Sequence, residues 1–415
     1  MNKSLRAILL IAVITLLQSC TTSADKDIVK QNFIFAEQQI EYALELVDSV
    51  KQNDNRDAET KAKNPLVSPR TIDENGNLKM VRARDWTSGF FPGTLWFMYE
   101  YTMDDKWKER AEEFTANLEG LRNYRGTHDL GFMVYNSFGN GLRLTQNESY
   151  KQVILDASYA LASRFKPAAG IIRSWDHNRD KWQCPVIIDN MMNLEMLFWA
   201  FKESGDSTFY NIAVSHADKT MENHFRPDFG TYHVVDYDTI TGEVLHQHTH
   251  QGYAHESTWS RGEAWALYGY TMMFRETGDN AYLEQAVKIA DFIFTHPNLP
   301  DDLVPYWDFD APEIPNEPRD ASAASTTASA LYELSFYTQN EEDASQYRSY
   351  ADAILENLTN SYRAAANTNG GFLLKHSTGS KAGNSEIDVP LVYADYFFLE
   401  ALLRKNKLQN NISLF

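Results

Sequence analysis

Thr277-Gly278-Asp279-Asn280-Ala281-Tyr282 separates two helical patterns of different character. Before it, Trp265–Phe274 is apolar on most sides. After it, Tyr282-Leu283-Glu284-Gln285-Ala286-Val287-Lys288-Ile289-Ala290-Asp291-Phe292-Ile293 carries one charged face. A helix with mixed faces lies on the outside of a domain, and one that is apolar all round is buried on both sides. The same unit, a polar turn followed by an aromatic residue, recurs at Met103-Asp104-Asp105-Lys106-Trp107, Thr145–Tyr150, Ser204–Tyr210 and Thr338-Gln339-Asn340-Glu341, the last leading to Tyr347. The aromatics Trp107, Tyr150, Tyr210, Tyr282 and Tyr347 stand 43, 60, 72 and 65 residues apart, so loops of unequal length are inserted between units.

Alternating along the chain, this pattern predicts outer helices near 28–51, 105–120, 147–165, 207–224, 280–295 and 343–363. Inner helices are expected near 91–102, 130–143, 186–203, 259–277, 320–337 and 388–404. Six outer–inner hairpins make a closed (α/α)6 barrel, an all-α fold. An open solenoid would have shorter and more uniform repeats. Strand signals are confined to runs such as Thr231–Val235, read as a short β-hairpin insertion within 225–258.

Composition bounds the function. The 415 residues hold 38 Lys+Arg against 57 Asp+Glu, a formal net charge of −19. Such a balance excludes a nucleic-acid partner, which calls for basic groups to neutralise phosphates. The two cysteines, Cys20 and Cys184, are too few for a disulfide scaffold or a cysteine-rich zinc module. Lys3 and Arg6 precede the apolar run Ala7–Leu17, which is too short to span a bilayer. It fits a secretory signal peptide over residues 1–19. Leu17-Gln18-Ser19-Cys20 resembles a bacterial lipobox. Residues 20–27 then form a tether lipidated at Cys20, and 28–415 form the catalytic barrel. The expectation is an exported lipoprotein, periplasmic or at the cell surface, that meets a membrane only through its anchor.

Unusual residues cluster where loops lead into the expected inner helices. In Arg84-Asp85-Trp86-Thr87-Ser88-Gly89-Phe90, Trp86 and Phe90 offer either a stacking platform for a sugar ring or plain core. In Thr127-His128-Asp129-Leu130-Gly131, Asp129 is a catalytic carboxylate or an N-cap. Asp189 lies between Val186-Ile187-Ile188 and Met191-Met192; it is either a cap for a helix starting near Asn190 or a carboxyl whose desolvation favours the protonated form and suits it to donate a proton. In Trp259-Ser260-Arg261-Gly262-Glu263-Ala264-Trp265, the Arg261 fork fits a carboxylate, either a ligand's or that of Glu263. His246-Gln247-His248-Thr249-His250 puts alternate histidines on one strand face. No cysteine or regular ligand spacing accompanies them, so no metal is expected. Cys184 reads as a buried thiol, and Gly-x-Ser-x-Gly does not occur.

These clusters, together with Ile188-Asp189-Asn190-Met191-Met192-Asn193-Leu194, Thr249-His250-Gln251-Gly252-Tyr253 and Glu386–Tyr396, resemble those of the unsaturated glucuronyl hydrolases, glycoside hydrolase family 88. The likeness spans nearly all of the chain from residue 28. It implies an (α/α)6 barrel, Asp189 as general acid/base and Asp129 as the second essential aspartate. It also implies substrate contacts from Trp86, Phe90, His128, His233, Gln251, Trp259, Arg261 and Trp265, and no cofactor. The implied substrates are short oligosaccharides, made by lyases, that end in a 4,5-unsaturated uronic acid. Three rival readings are an unsaturated rhamnogalacturonyl hydrolase, an inverting glycosidase acting on saturated sugars, and a lipoprotein that binds glycans without turnover. Loops around 246–250 and 375–386 are expected to select the neighbouring sugar.

Overall fold

The computed structural model describes the backbone of residues 3–415 and the side chains of residues 28–415. The side chains of the expected signal peptide, Cys20 and the tether lie outside the residues so described. Among the described residues, no helix is long and apolar enough to cross a membrane.

Thirteen α-helices are present among the described residues: α1 (Lys3–Gln52), α2 (Ala58–Lys63), α3 (Phe90–Thr102), α4 (Asp105–Ala116), α5 (Asn140–Thr145), α6 (Glu148–Ala162), α7 (Glu195–Ser204), α8 (Ser207–Asn223), α9 (Ser260–Thr277), α10 (Asn280–Thr295), α11 (Ala321–Tyr337), α12 (Glu341–Asn357) and α13 (Val392–Gln409). The outer set is α1, α4, α6, α8, α10 and α12. The inner set is α3, the π-helical turn Gly131–Gly139 with α5, then α7, α9, α11 and α13. Each inner element packs against the next, and α13 returns to α3, so the inner ring is closed. One apolar core runs through the whole ring.

The recurring turns owe their shape to two local devices. An inner helix ends on a left-handed residue, Met103, Gln146, Gly205 or Gly278. The next outer helix starts on an Asp or Asn whose side chain accepts the backbone N–H two residues on: Asp104, Asn147, Asp206, Asp279 and Asn340. The first device satisfies free carbonyls and the second free N–H groups. The following aromatics Trp107 and Tyr282 are then buried against the inner ring. Helix α11 follows a different recipe. Its small residues, Ala321 through Ala330, are all buried and let it approach α9, α12 and α13 closely.

Two inner elements differ from the expected helices. Residues 185–187 form a strand before the helical turns begin at Ile188, because the β-branched residues Val186 and Ile187 favour extended backbone. Pro185–Ile187 pairs with Val234–Tyr237, which pairs with Val244–His248. The insertion is therefore part of a three-stranded sheet, three residues beyond the expected Thr231–Val235. The segment 131–139 is helical but wide-turned. Gly131 sits against the neighbouring lead-in so closely that a Cβ there would lie 2.7 Å from the Asn193 Cα.

Replacing Asp279 by Ala removes its 2.9 Å bond to the Ala281 N–H. The expected result is a loss of about 1 kcal/mol in urea unfolding.

Candidate active site

The six inner helices begin at the same end of the barrel, and their lead-ins meet there. A ladder of backbone bonds joins the segments that carry the two aspartates. The Thr127–Trp175 bridge and His128 N–H to Ser174 O (3.0 Å) hold the Asp129 segment. Ser174 N–H donates to Pro185 O, and Ile187 N–H to the Ser174 Oγ. Ile188 N–H donates to His233 O. Asp189 thus emerges beside His233, and the Phe132 N–H bond to Asn193 Oδ1 (3.0 Å) ties the two helix starts together.

Asp189 is 8% exposed, and its Oδ1 has no hydrogen-bond partner in the protein. That oxygen faces His233 Nε2 at 3.6 Å. The His233 Nδ1 accepts two backbone N–H groups, from His250 and Gln251, each at 3.0 Å. A neutral imidazole has one acceptor and one donor nitrogen, so the proton lies on Nε2 and points at Asp189. Asp129 does not cap a helix. Its carboxylate accepts from the Thr127 hydroxyl at 2.5 Å and lies 3.2 Å from His128 Nε2. Burial pushes its pKa up, but the His128 charge and hydrogen bond, the Thr127 bond and the Arg164 charge outweigh it. The carboxyl stands below its ordinary value and is ionised at neutral pH.

The expected platform divides. Trp86 is part-exposed and packs on Phe90, Phe132 and Tyr393. Phe90 and Trp265 are wholly buried behind it. They support the platform through tilted ring contacts with Phe132. Trp259 lies beside His233, 4.6 Å between ring centres.

Arg261 departs from the expected fork presented to a ligand. It is 1% exposed, and its partner is Asp320 (2.5 Å), not Glu263. The remaining Nη hydrogens go to the carbonyls of Thr378 and Gly379, both at 2.6 Å. Gln251 Nε2 donates to the same Gly379 carbonyl. Arg261 and Gln251 together hold the loop 376–389 against the site. Arg70 clasps that loop from the other side through a bidentate pair with Glu386 and a second pair with Asp85.

Residues not legible as functional from sequence line the same end. Trp175, Trp182 and His250 form an aromatic wall that continues to His233. Trp175 Nε1, Ser260 Oγ and Tyr393 OH are buried and lack protein partners, as does Asp189 Oδ1. Trp175 and Trp182 lie in an irregular segment, so no periodicity pointed to them. A cavity of about 530 Å³ lies at the opposite end, under Phe415. Its charged groups are paired among themselves, as in Arg275–Glu195 and Arg143–Glu100, and it holds neither aspartate. Of the 246–250 histidines, His246 and His248 stack in one row with His255, while His250 turns to the wall. Among the described residues, no three metal-ligating side chains gather as an ion requires.

Two aspartates beside an aromatic wall, at one end of an (α/α) barrel, define a carbohydrate-active hydrolase. The comparisons narrow the class. No protein-family model matches the chain. An unsaturated glucuronyl hydrolase of Formosa agariphila is 51% identical over 330 residues, 79% of this chain and 82% of the relative. The crystal structure of an unsaturated glucuronyl hydrolase specific for heparin superposes with a TM-score of 0.85 at 43% identity, over 94% of this chain and 99% of that one. An aspartate-to-asparagine variant of the Streptococcus agalactiae enzyme, complexed with dGlcA-GalNAc6S, matches at TM-score 0.74 and 26% identity, over 91% and 90%. The chain belongs to the unsaturated glucuronyl hydrolase family, and is a glycosidase of that class acting on unsaturated oligosaccharides.

Glu263 illustrates the electrostatics of this end. It is fully buried and accepts the N–H and hydroxyl of Thr231, two residues before His233. Burial outweighs these bonds and pushes its pKa from 4.5 up to about 7. The unfolded chain releases this proton earlier than the folded one, so stability falls as pH rises from about 4.5 to about 7. Glu263→Gln removes that slope. Thermal unfolding across pH 5–8 is expected to favour the variant progressively, reaching roughly 2–3 kcal/mol at the alkaline end.

Proposed function

We propose that the chain hydrates the C4=C5 bond of a terminal unsaturated uronic acid with Asp189 as both acid and base. The observation that carries this is the pairing of Asp189 with a histidine of defined tautomer. His233 Nε2–H faces Oδ1, which leaves Oδ2 as the oxygen free to exchange a proton with the substrate. The substrate's C4=C5 bond is a vinyl ether, because C5 also bears the ring oxygen. Asp189 protonates C4, and positive charge develops at C5 and the ring oxygen. Water adds at C5 and gives its proton to the Asp189 carboxylate, which restores the acid. The C5 hemiketal then opens to a ketone. The hemiacetal left at C1 expels the next sugar as its alcohol. No cofactor enters any step.

Asp129, ionised and held by Thr127 and His128, binds ring hydroxyls and stabilises the developing charge. Trp86 and Trp175 stack on the sugar faces. The Tyr393 hydroxyl, unpartnered in the protein, donates to the uronate carboxylate. Arg261, 4.5 Å from the Trp259 ring and 5.3 Å from that of Tyr393, is paired with Asp320 and holds these rings in place without touching the substrate. The acidic surface repels long polyanions, which favours short lyase products. Because the heparin-specific enzyme superposes well, unsaturated heparin-type disaccharides are the first substrates to assay.

Activity is read as loss of the absorbance of the conjugated double bond. Asp189→Asn is expected to lower kcat about 10²–10⁴-fold with substrate binding kept. Turnover that persists in this variant assigns the acid/base role elsewhere.

We further propose export as a lipoprotein acylated at Cys20, on the strength of the apolar run and lipobox. Palmitate labelling of the expressed full chain, lost in Cys20→Ser along with membrane association, is the expected result. An unlabelled wild type removes the anchor.

A further inference from the structure

His233 is useful to Asp189 only while its Nδ1 remains an acceptor. That condition depends on two N–H groups, of His250 and Gln251, in a loop with no regular structure between Thr249 and Ser257. Besides the bonds of Gln251 to Gly379 O, of the Tyr232 hydroxyl to Glu256 and of Arg226 to Ser257 O, three anchors hold the loop. Thr249 Oγ1 accepts the Gly252 N–H at 2.8 Å, and the His255 Nδ1 accepts the Thr249 N–H at 3.1 Å. The third is Asp308, which is 0% exposed; among the described residues no cation pairs with it.

The Asp308 Oδ2 accepts the Tyr253 N–H at 2.8 Å and the Ser257 hydroxyl at 2.7 Å, while Oδ1 accepts the Asp310 N–H at 2.9 Å. Around it, Trp307–Asp310 runs as a brace beside the loop's far end. Asp310 Oδ2 accepts the Thr258 N–H, Phe309 N–H donates to Thr258 O, and Ser260 N–H donates to Trp307 O. A carboxylate buried without a counter-ion is costly unless hydrogen bonds stabilise it. Here the compensating donors all come from the brace and the loop. Gly252 completes the fit, since a Cβ there would lie 3.1 Å from Asp308 Oδ2 and 2.7 Å from Thr249 Oγ1.

We propose that Asp308 is a positioning residue for the reaction: by clamping the 249–257 loop it keeps the His250 and Gln251 N–H groups on His233 Nδ1, and so keeps the His233 proton aimed at Asp189. This rests on the roles given above to Asp189 and His233. Asp308 touches no reacting atom. Its effect passes through two backbone donors, which is why neither a motif nor the aspartate pair points to it.

The test combines kinetics with a direct reading of the tautomer. In Asp308→Asn the amide cannot accept at both positions, so one N–H or hydroxyl loses its partner. A fall in kcat of about 10–100-fold is expected, with KM within about threefold of wild type. Ring-15N spectra of histidine-labelled protein should show the His233 signal, assigned by its loss in His233→Gln, change from one Nε2–H tautomer to a mixture. Ser257→Ala, which removes one bond and leaves the carboxylate, should move both readouts the same way by a smaller step. It also serves if Asp308→Asn does not fold. A wild-type kcat in Ser257→Ala and in folded Asp308→Asn overturns the proposal. So does a rise in KM alone, or a loss of kcat with the His233 tautomer unchanged. If instead Asp189→Asn stays active, the acid/base reading has failed, and the tautomer spectra still decide whether Asp308 sets the histidine.

Discussion

Burial of the inner helices on both faces is the constraint on which everything else depends. A helix such as α9, with Ser260 through Met273 buried, cannot lie at a surface. Six such elements satisfy one another only as a ring with outer helices around it. Closure puts all six lead-ins at one end, and they converge. Residues distant in sequence, such as Asp129, Asp189, His233 and Tyr393, thereby line one cleft. The helices themselves supply almost none of the reacting groups.

Polar chemistry at that end is organised by backbone donors more than by ion pairs. His233 receives two N–H groups and Asp308 receives two more, while Arg261 is spent on two carbonyls and Asp320. Removing one member of a buried pair such as Arg261–Asp320 costs on the order of 3–5 kcal/mol, so the loop it anchors is held firmly. Four residues of that loop, His376, Asn384, Glu386 and Asp388, have positive φ. Left-handed backbone at non-glycine residues is unfavourable and persists where surrounding contacts impose it. The Arg70–Glu386 and Arg261–Gly379 contacts are of that kind.

How much was legible in advance depended on whether the signal was local. The turn Thr277–Tyr282 announced a helix boundary because capping and left-handed closure are chosen by the residues themselves. Five such turns, read together, sufficed for the hairpin count. Asp189 was conspicuous because a carboxyl between apolar runs is rare. The start of the helix near 186 was misplaced, since β-branched residues there pair with a strand about 50 residues away. The Arg261 expectation failed for a related reason. An arginine beside tryptophans looks the same whether its partner is a ligand or Asp320, 59 residues on. Trp175 and Trp182, outside any periodic segment, carried no signal at all.

The sequence by itself determined the hairpins, the acidic surface and the residue types of the two aspartates, because each is a property of a short stretch and its composition. Tertiary structure decided which nitrogen of His233 carries the proton, which aromatics face the cleft and which merely support it, and that Arg261 serves the fold. Those outcomes depend on distances between segments that only ring closure brings together. A hydrogen bond is decided within a few tenths of an ångström, and no one-dimensional pattern carries that information.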